Sequence, residues 1–272
     1  MQSIWIKVSP LWLGCFWWFQ RDTLRMPHKL REQLSFSRSP WPDRAVSLND
    51  HLRCLAKPAN NPLLLEIMRG LEKENLRVTD KGVLSKTKHP STLGSALTHP
   101  SITTDFSEAL LEFITRPSDD IDTVLQELED IQRYAYSQIG DELLWVNSMP
   151  CTIEGDSKIP IASFGKSNVG RMKHIYRVGL GHRYGRSMQI IAGIHYNFSI
   201  SDRFWSHLQS SCASKLSLKD FKTTGYLSLI RNFRRRSWLL LYLLGASPAA
   251  CQSFSNKTSP ELLRFDHDKK SL

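Results

Sequence analysis

The apolar positions of this chain change period along its length, and the changes mark its elements. Ile121, Val124, Leu125, Leu128, Ile131 and Tyr134 recur on one helical face. They predict a helix over 118–139, with Ser118 as N-cap, Asp119 and Asp120 favourable in the first turn, and Gly140 at its end. Over 187–200 the period is two. Ile190, Ala192, Ile194, Tyr196, Phe198 and Ile200 form an apolar face, and Gln189, Ile191, Gly193, His195, Asn197 and Ser199 the other. That pattern predicts a strand whose polar face floors a site on an antiparallel sheet. A short helical run, Leu63 to Gly70, precedes a strand from Glu72 to Thr79 and a turn at Asp80-Lys-Gly82. Ala109 to Thr115 fits a strand or a short helix. Residues 225–244 read as a basic-then-apolar helix ending at Gly245.

Acidic side chains interrupt these apolar segments at informative places. Glu72 and Glu74 are two apart, so on a strand they share a face. Glu112 lies among Leu110, Leu111, Phe113 and Ile114, where an unpaired carboxylate is costly. Asp105 precedes it, and His195 sits in the 187–200 strand. Carboxylates converging on one surface repel unless cations relieve them, and hard oxygen ligands select Mg²⁺ or Mn²⁺. The set suggests a metal-dependent phosphate enzyme without a P-loop. Taken singly, Glu72 and Glu74 also fit the solvent face of an edge strand, and His195 a satisfied core histidine.

Composition narrows the classes. The chain has 272 residues, 41% hydrophobic and 23% charged, as expected of a soluble globular protein. The net charge of +10 is concentrated in residues 20–57 and in the arginines of Arg231-Asn-Phe-Arg-Arg-Arg236. No nucleic-acid motif accompanies either run, so no nucleic-acid partner is expected. The five cysteines are odd in number and form no C-x-x-C pair, which argues against a disulfide framework or zinc site and fits the reducing cytoplasm. The aromatic stretch 4–19 is too short and interrupted for a membrane span, although it could touch a membrane surface. Residues 1–58 read as a non-matching, poorly ordered aromatic and basic leader, with a non-native or mis-started origin favoured.

Gly165-Lys-Ser167 invites a P-loop reading, but Pro160 stands where its first glycine belongs. Ser163 to Arg171 remains a glycine-spaced basic loop that fits either a substrate contact or plain surface.

Several stretches together resemble the proteobacterial type of glutamate–cysteine ligase. They are Arg69-Gly-Leu-Glu-Lys-Glu-Asn-Leu-Arg-Val78, Leu93-Gly-Ser-Ala-Leu-Thr-His99, Ile102-Thr-Thr-Asp-Phe-Ser-Glu-Ala-Leu-Leu-Glu-Phe-Ile-Thr115, Gly140-Asp-Glu-Leu-Leu-Trp145, Ser148-Met-Pro-Cys151, Gly179-Leu-Gly-His-Arg-Tyr-Gly185, Gly193-Ile-His-Tyr-Asn-Phe-Ser199 and Gly245-Ala-Ser-Pro-Ala249. The resemblance implies an α+β fold, a glutamine-synthetase-like curved antiparallel sheet with flanking helices, here apparently incomplete. It puts Glu72, Glu74, Asp105, Glu112 and His195 on metal-ligand positions. Phe106 and Tyr176 fall where cysteine is held, and Gln189 near the glutamate and metal site. It implies small-molecule substrates (glutamate, cysteine and ATP) and a Mg²⁺ or Mn²⁺ cofactor. The implied reaction is ATP-dependent ligation of the glutamate γ-carboxylate to cysteine through an acyl phosphate, the first step of glutathione biosynthesis.

The resemblance covers about residues 60–255, so 59–255 reads as the N-terminal part of the ligase catalytic domain and 256–272 as a polar tail. The family's remaining half would supply another metal carboxylate, phosphate- and substrate-binding arginines and further tyrosines; whether another chain supplies it stays open. Arg234 and Arg236 stand where the family's helix has aromatic residues. Two further readings stay open: a catalytically incomplete remnant, or a peripheral membrane or polyanion-binding protein.

Overall fold

The computed structural model describes residues 52–53, 55–57, 61–150, 152–212 and 214–244. The leader 1–51 with its stretch 4–19, the tail 256–272 and Gly245 lie outside the described residues. Among the described residues the chain forms two compact units, the first from residues 52–69, 118–120 and 197–244, the second from 70–117 and 121–196. The class is α+β.

The second unit holds most of the sheet. Strand β1 is Ile67–Val78, β2 Ile102–Thr104, β3 Leu110–Ile114, β4 Leu143–Leu144 and β5 Ile194–Ile200, in the order β2-β3-β1-β4 with β5 also paired to β1. Strands β1 and β5 each extend a few residues into the first unit. The ladders β1–β3, β1–β4 and β2–β3 are antiparallel. Period two sends alternate β3 residues to opposite faces. Leu111 and Phe113 pack under helix α2 (Ile121–Gln138) with Leu128, Ala135 and Ile139. Leu110 packs on the other side with Leu76, Phe106, Ala109, Ile159 and Ile190. The ambiguous stretch after Ala109 is therefore a strand. Lys73 also points to the α2 side, where its Nζ donates to Asn75 Oδ1 at 2.6 Å and Gln132 Oε1 at 2.9 Å. Burial holds its ammonium below the ordinary lysine pKa.

Arg77 is wholly buried at the end of β1. Its guanidinium donates to Glu142 Oε2 at 2.6 Å and to the carbonyls of Thr87, Lys88 and Glu108. Helix α3 (Asn168–Tyr184) starts where Ser167 Oγ accepts the Gly170 N–H at 3.1 Å.

In the first unit, α1 (Asn61–Leu65), α4 (Asp202–Ser211) and α5 (Leu218–Leu244) are present. Ser201 and Ser217 cap α4 and α5, accepting from the Phe204 and Asp220 amides at 3.1 Å each. Phe204, Trp205, Leu208, Cys212, Phe221 and Tyr226 form one buried cluster. No described helix is long and apolar enough to cross a membrane.

Three expectations need correction. The helical run expected over Leu63–Gly70 ends at Leu65, and β1 already begins at Ile67. Arg69 exchanges both backbone hydrogen bonds with Ser118, at 2.7 and 2.8 Å, which commits this stretch to extended backbone. The strand expected over 187–200 starts only at Ile194; Ser187–Ile190 is a 3₁₀ turn. The helix expected over 225–244 begins earlier, at Leu218, because Ser217 caps it there.

Candidate metal centre

The register of β1 and β3 builds the site. Glu74 and Glu112 are direct partners across the ladder, and Glu72 opposes Ile114. All three acidic residues therefore share one face, opposite the one that Lys73 and Phe113 give to α2. From the other side of β1, Gly193 approaches Glu74. The Glu74 amide donates to the Gly193 carbonyl at 2.9 Å, and the Gly193 amide to Glu74 Oε2 at 2.8 Å. The Ala192 amide donates to the Ser148 carbonyl at 2.9 Å. These bonds turn the backbone just before β5 and explain its late start.

The turn sets which way His195 looks. His195 is 5% exposed, whereas Ile194 is 49% and Tyr196 39% exposed. The polar face of β5 is thus the covered one, because its partners are carboxylates. His195 Nδ1 lies 3.0 Å from Glu72 Oε2, and Nε2 3.6 Å from Glu74 Oε1. One ligand atom each from Glu72, Glu112 and His195 fall within 4.8 Å of one another. Glu74 sits at their edge, held by Gly193.

Two carboxylates and an imidazole form a donor set that Mg²⁺ and Mn²⁺ accept, Mn²⁺ the more readily because of the nitrogen. Partly buried acidic groups this close gain from a divalent ion, since water screens them less than at an open surface.

The other expected site residues lie outside this cluster of converging ligand atoms. Asp105 is not among the converging atoms; its carboxylate lies 3.8 Å from Arg177 Nη2. Phe106 is 1% exposed and packs with Leu76 and Leu110 in the core on the side of the sheet away from α2, the side that also carries the acidic residues. Tyr176 is exposed on α3 and lines an open depression of about 480 Å³ with Asn168, Arg171, Met172 and Ile175. Gln189 lies half-buried in the 3₁₀ turn, its amide bonded to the Arg186 carbonyl at 3.0 Å.

Sequence reasoning missed Arg177. Its Nε donates to the Asp105 carbonyl, its Nη1 to the Lys173 carbonyl at 3.1 Å, and its guanidinium lies 4.5 Å from the centre of the Phe164 ring. It joins α3, the Asp105 turn and the basic loop. Nothing in its sequence neighbourhood marks it beyond adjacency to Tyr176. It also missed Glu108, whose carboxylate accepts the His89 amide at 3.0 Å and the Ser163 amide at 2.7 Å, anchoring that loop.

A family model for glutamate-cysteine ligase matches residues 52–272. The glutamate–cysteine ligase of Alcanivorax borkumensis is 60% identical over 205 residues, 75% of this chain and 39% of that protein. That of Pseudomonas putida strain W619 is 52% identical over 219 residues, 80% of this chain and 41% of the relative. The crystal structure of the Francisella tularensis glutamate–cysteine ligase in complex with AMP superposes with a TM-score of 0.68 at 42% identity, covering 76% of this chain and 40% of that one. A bifunctional glutathione synthetase from Pasteurella multocida gives 0.63 at 32% identity, over 71% and 24% of the two chains. The chain thus spans about 40% of the length of the curated relatives it matches. Most of its own length lies within the family model and the ladder of β1 and β3 carries the acidic face, so the chain belongs to the glutamate–cysteine ligase family.

Proposed function

We propose that this chain provides the metal-holding part of an ATP-dependent glutamate–cysteine ligase. The observation that carries the reading is the convergence of Glu72, Glu112 and His195 on one covered face. A bound Mg²⁺ or Mn²⁺ would neutralise phosphate charge and favour phosphoryl transfer. The chain's own residues hold that charge in place. Glu72 and Glu112 would supply carboxylate oxygens and His195 a ring nitrogen, while Glu74 fixes Gly193 and so the entry to β5. Asp105 stands next to this face, set by Arg177.

In the reaction, a glutamate γ-carboxylate oxygen attacks the terminal phosphorus of ATP, giving γ-glutamyl phosphate and ADP. The neutral amino group of cysteine then attacks the acyl carbon. A C–N bond forms, phosphate leaves, and the amine loses a proton. Tyr176, with Arg171, offers an exposed surface for the amino-acid substrate, Phe106 packs with Leu76 and Leu110 on the acidic side of the sheet, and Gln189 lies on the approach to β5. Turnover should release phosphate only with ATP, a divalent ion, glutamate and cysteine all present. Release without cysteine, or its persistence in Glu72→Gln, would overturn the reading.

A second reading is favoured by the length comparison: the chain binds the metal yet completes no turnover alone, since the relatives extend far beyond the matched stretch. Saturable Mn²⁺ binding, seen by electron paramagnetic resonance without phosphate release, separates it from the first.

A further inference from the structure

The turn between β2 and β3 holds one carboxylate of the acidic face apart from the rest. Thr103 opposes Glu112 in the β2–β3 ladder, and the Asp105 amide continues that pairing by donating to the Leu110 carbonyl at 3.0 Å. Asp105 therefore shares a face with Thr103 and is the diagonal neighbour of Glu112. A side chain so placed can reach toward a cation held at Glu112, yet the converging atoms are those of Glu72, Glu112 and His195. Asp105 is held by Arg177 instead. The guanidinium donates from Nε to the Asp105 carbonyl, and its Nη2 stands 3.8 Å from Asp105 Oδ1. Burial lowers the Arg177 pKa from its ordinary value, and the Asp105 and Glu112 carboxylates oppose that shift.

Arg177 is itself kept in place from below. Its guanidinium lies 4.5 Å from the centre of the Phe164 ring, and Lys173 Nζ lies 4.9 Å from the same centre. Two like charges over one ring repel, so the ring must be fixed by something else. Three bonds do this. The Ser163 amide donates to Glu108 Oε2 at 2.7 Å, the Ala162 amide to the Phe106 carbonyl at 2.9 Å, and His174 Nδ1 to the Ala162 carbonyl at 2.8 Å. Glu108 is buried, and its other oxygen accepts the His89 amide at 3.0 Å. The contacts close a ring. Glu108 fixes the loop, the loop fixes Phe164, Phe164 supports Arg177, and Arg177 grips Asp105 in the same turn as Glu108. A carboxylate cannot serve a guanidinium and a divalent ion equally well, so drawing Asp105 to a cation costs the Arg177 contact.

We propose that Glu108 and Arg177 are positioning residues that compete with the bound cation for Asp105: the loop anchored by Glu108 keeps Arg177 on Asp105, and the firmness of that grip sets the affinity of the cation site. The inference rests on the reading of Glu72, Glu112 and His195 as a cation site. If the ring of contacts only braced the fold, loosening it would change stability and leave Asp105 without influence on the ion.

The test is Mn²⁺ titration of the full chain, followed by electron paramagnetic resonance. The variants are Glu108→Gln and Phe164→Leu, each alone and combined with Asp105→Asn. Removing the Glu108 charge by itself can only weaken cation binding, so a gain identifies the released Asp105. Glu108→Gln should bind Mn²⁺ about tenfold more tightly than the parent. Phe164→Leu keeps every hydrogen bond of the loop and every charge, and should gain about threefold. It carries the test by itself if circular dichroism shows that Glu108→Gln does not fold. Both gains should vanish in the Asp105→Asn background. Unchanged or weaker binding in the folded variants, or a gain that survives Asp105→Asn, would overturn the proposal. A parent that binds no Mn²⁺ would remove the cation site itself and this proposal with it, whereas a binding parent without the gains would remove the proposal alone.

Discussion

Glu74 and Glu112 are register partners across β1 and β3, two carboxylates set directly opposite each other on a covered sheet face. Like charges so placed destabilise a sheet by a few tenths to about 1 kcal/mol. Folding tolerates that only where the arrangement does something else, and holding a cation is what the neighbouring Glu72 and His195 suggest.

Glu112→Gln should therefore act in two directions. The metal-free protein should become more stable, by up to about 1 kcal/mol, as repulsion with Glu74 falls. The stabilisation that Mn²⁺ gives the parent should shrink at the same time. Thermal unfolding with and without Mn²⁺ measures both, and equal Mn²⁺ shifts in parent and variant would remove Glu112 from the site.

The Arg77–Glu142 pair tests the scaffold. Arg77→Met leaves the Glu142 carboxylate without its cation and the carbonyls of Thr87, Lys88 and Glu108 without their donor. Removing one member of a buried pair costs about 3–5 kcal/mol. Urea unfolding should show that loss; a change below 1 kcal/mol would mean that water replaces the guanidinium.

Gly225 sets two rules against each other. Alanine in a helix is favoured over glycine by about 1 kcal/mol. A methyl here would stand 2.4 Å from the Trp205 ring, itself wedged against Phe221 and Tyr226 at 6.2 and 4.9 Å between ring centres. Overpacking costs about 1–3 kcal/mol and should win. Gly225→Ala is expected to lower the midpoint of urea unfolding, and Gly225→Ala with Trp205→Leu to recover much of it.

Acid should destabilise the second unit before general carboxylate titration sets in. His89 is held below its ordinary pKa of 6.5 by burial and then by the Arg77 charge, and its ring nitrogens are buried without partners. Burial opposes ionisation of Glu142, but hydrogen bonds from Ser85 and Thr87 and the charge of Arg77 outweigh it and keep its carboxyl below 4.5. Both folded-state values are depressed. The stability they contribute is present above the unfolded values and is lost as pH falls through the folded ones. Unfolding free energy should therefore begin to fall below pH 6.5 for the parent and stay flatter in that range for His89→Gln. Identical profiles would acquit His89.

Much of the acidic face was legible because strand alternation is a local rule. Glu72 and Glu74 share a face by period alone, and Glu112 betrayed itself by its apolar neighbours. What the local rule could not supply was the partner across each ladder. The start of β5 depends on Glu74, far away in sequence, capturing the Gly193 amide, and the same bond decides that His195 turns inward while Ile194 faces out. Arg177 escaped notice for a similar reason: its meaning lies in the Asp105 carbonyl and the Phe164 ring, not in its own segment. The family's motifs placed these positions by resemblance where physics alone left alternatives open.

The wide separation of Glu72, Glu112 and His195 along the chain has a bearing on how the protein is made. A nascent chain that has exposed β1 and β3 already holds opposed carboxylates with no imidazole to join them. Closing the loop to β5 is a late, long-range event of the kind that slows folding. During synthesis the proposed cation site could not form until His195 had cleared the ribosome, so ion capture there would mark the moment at which this sheet is finished.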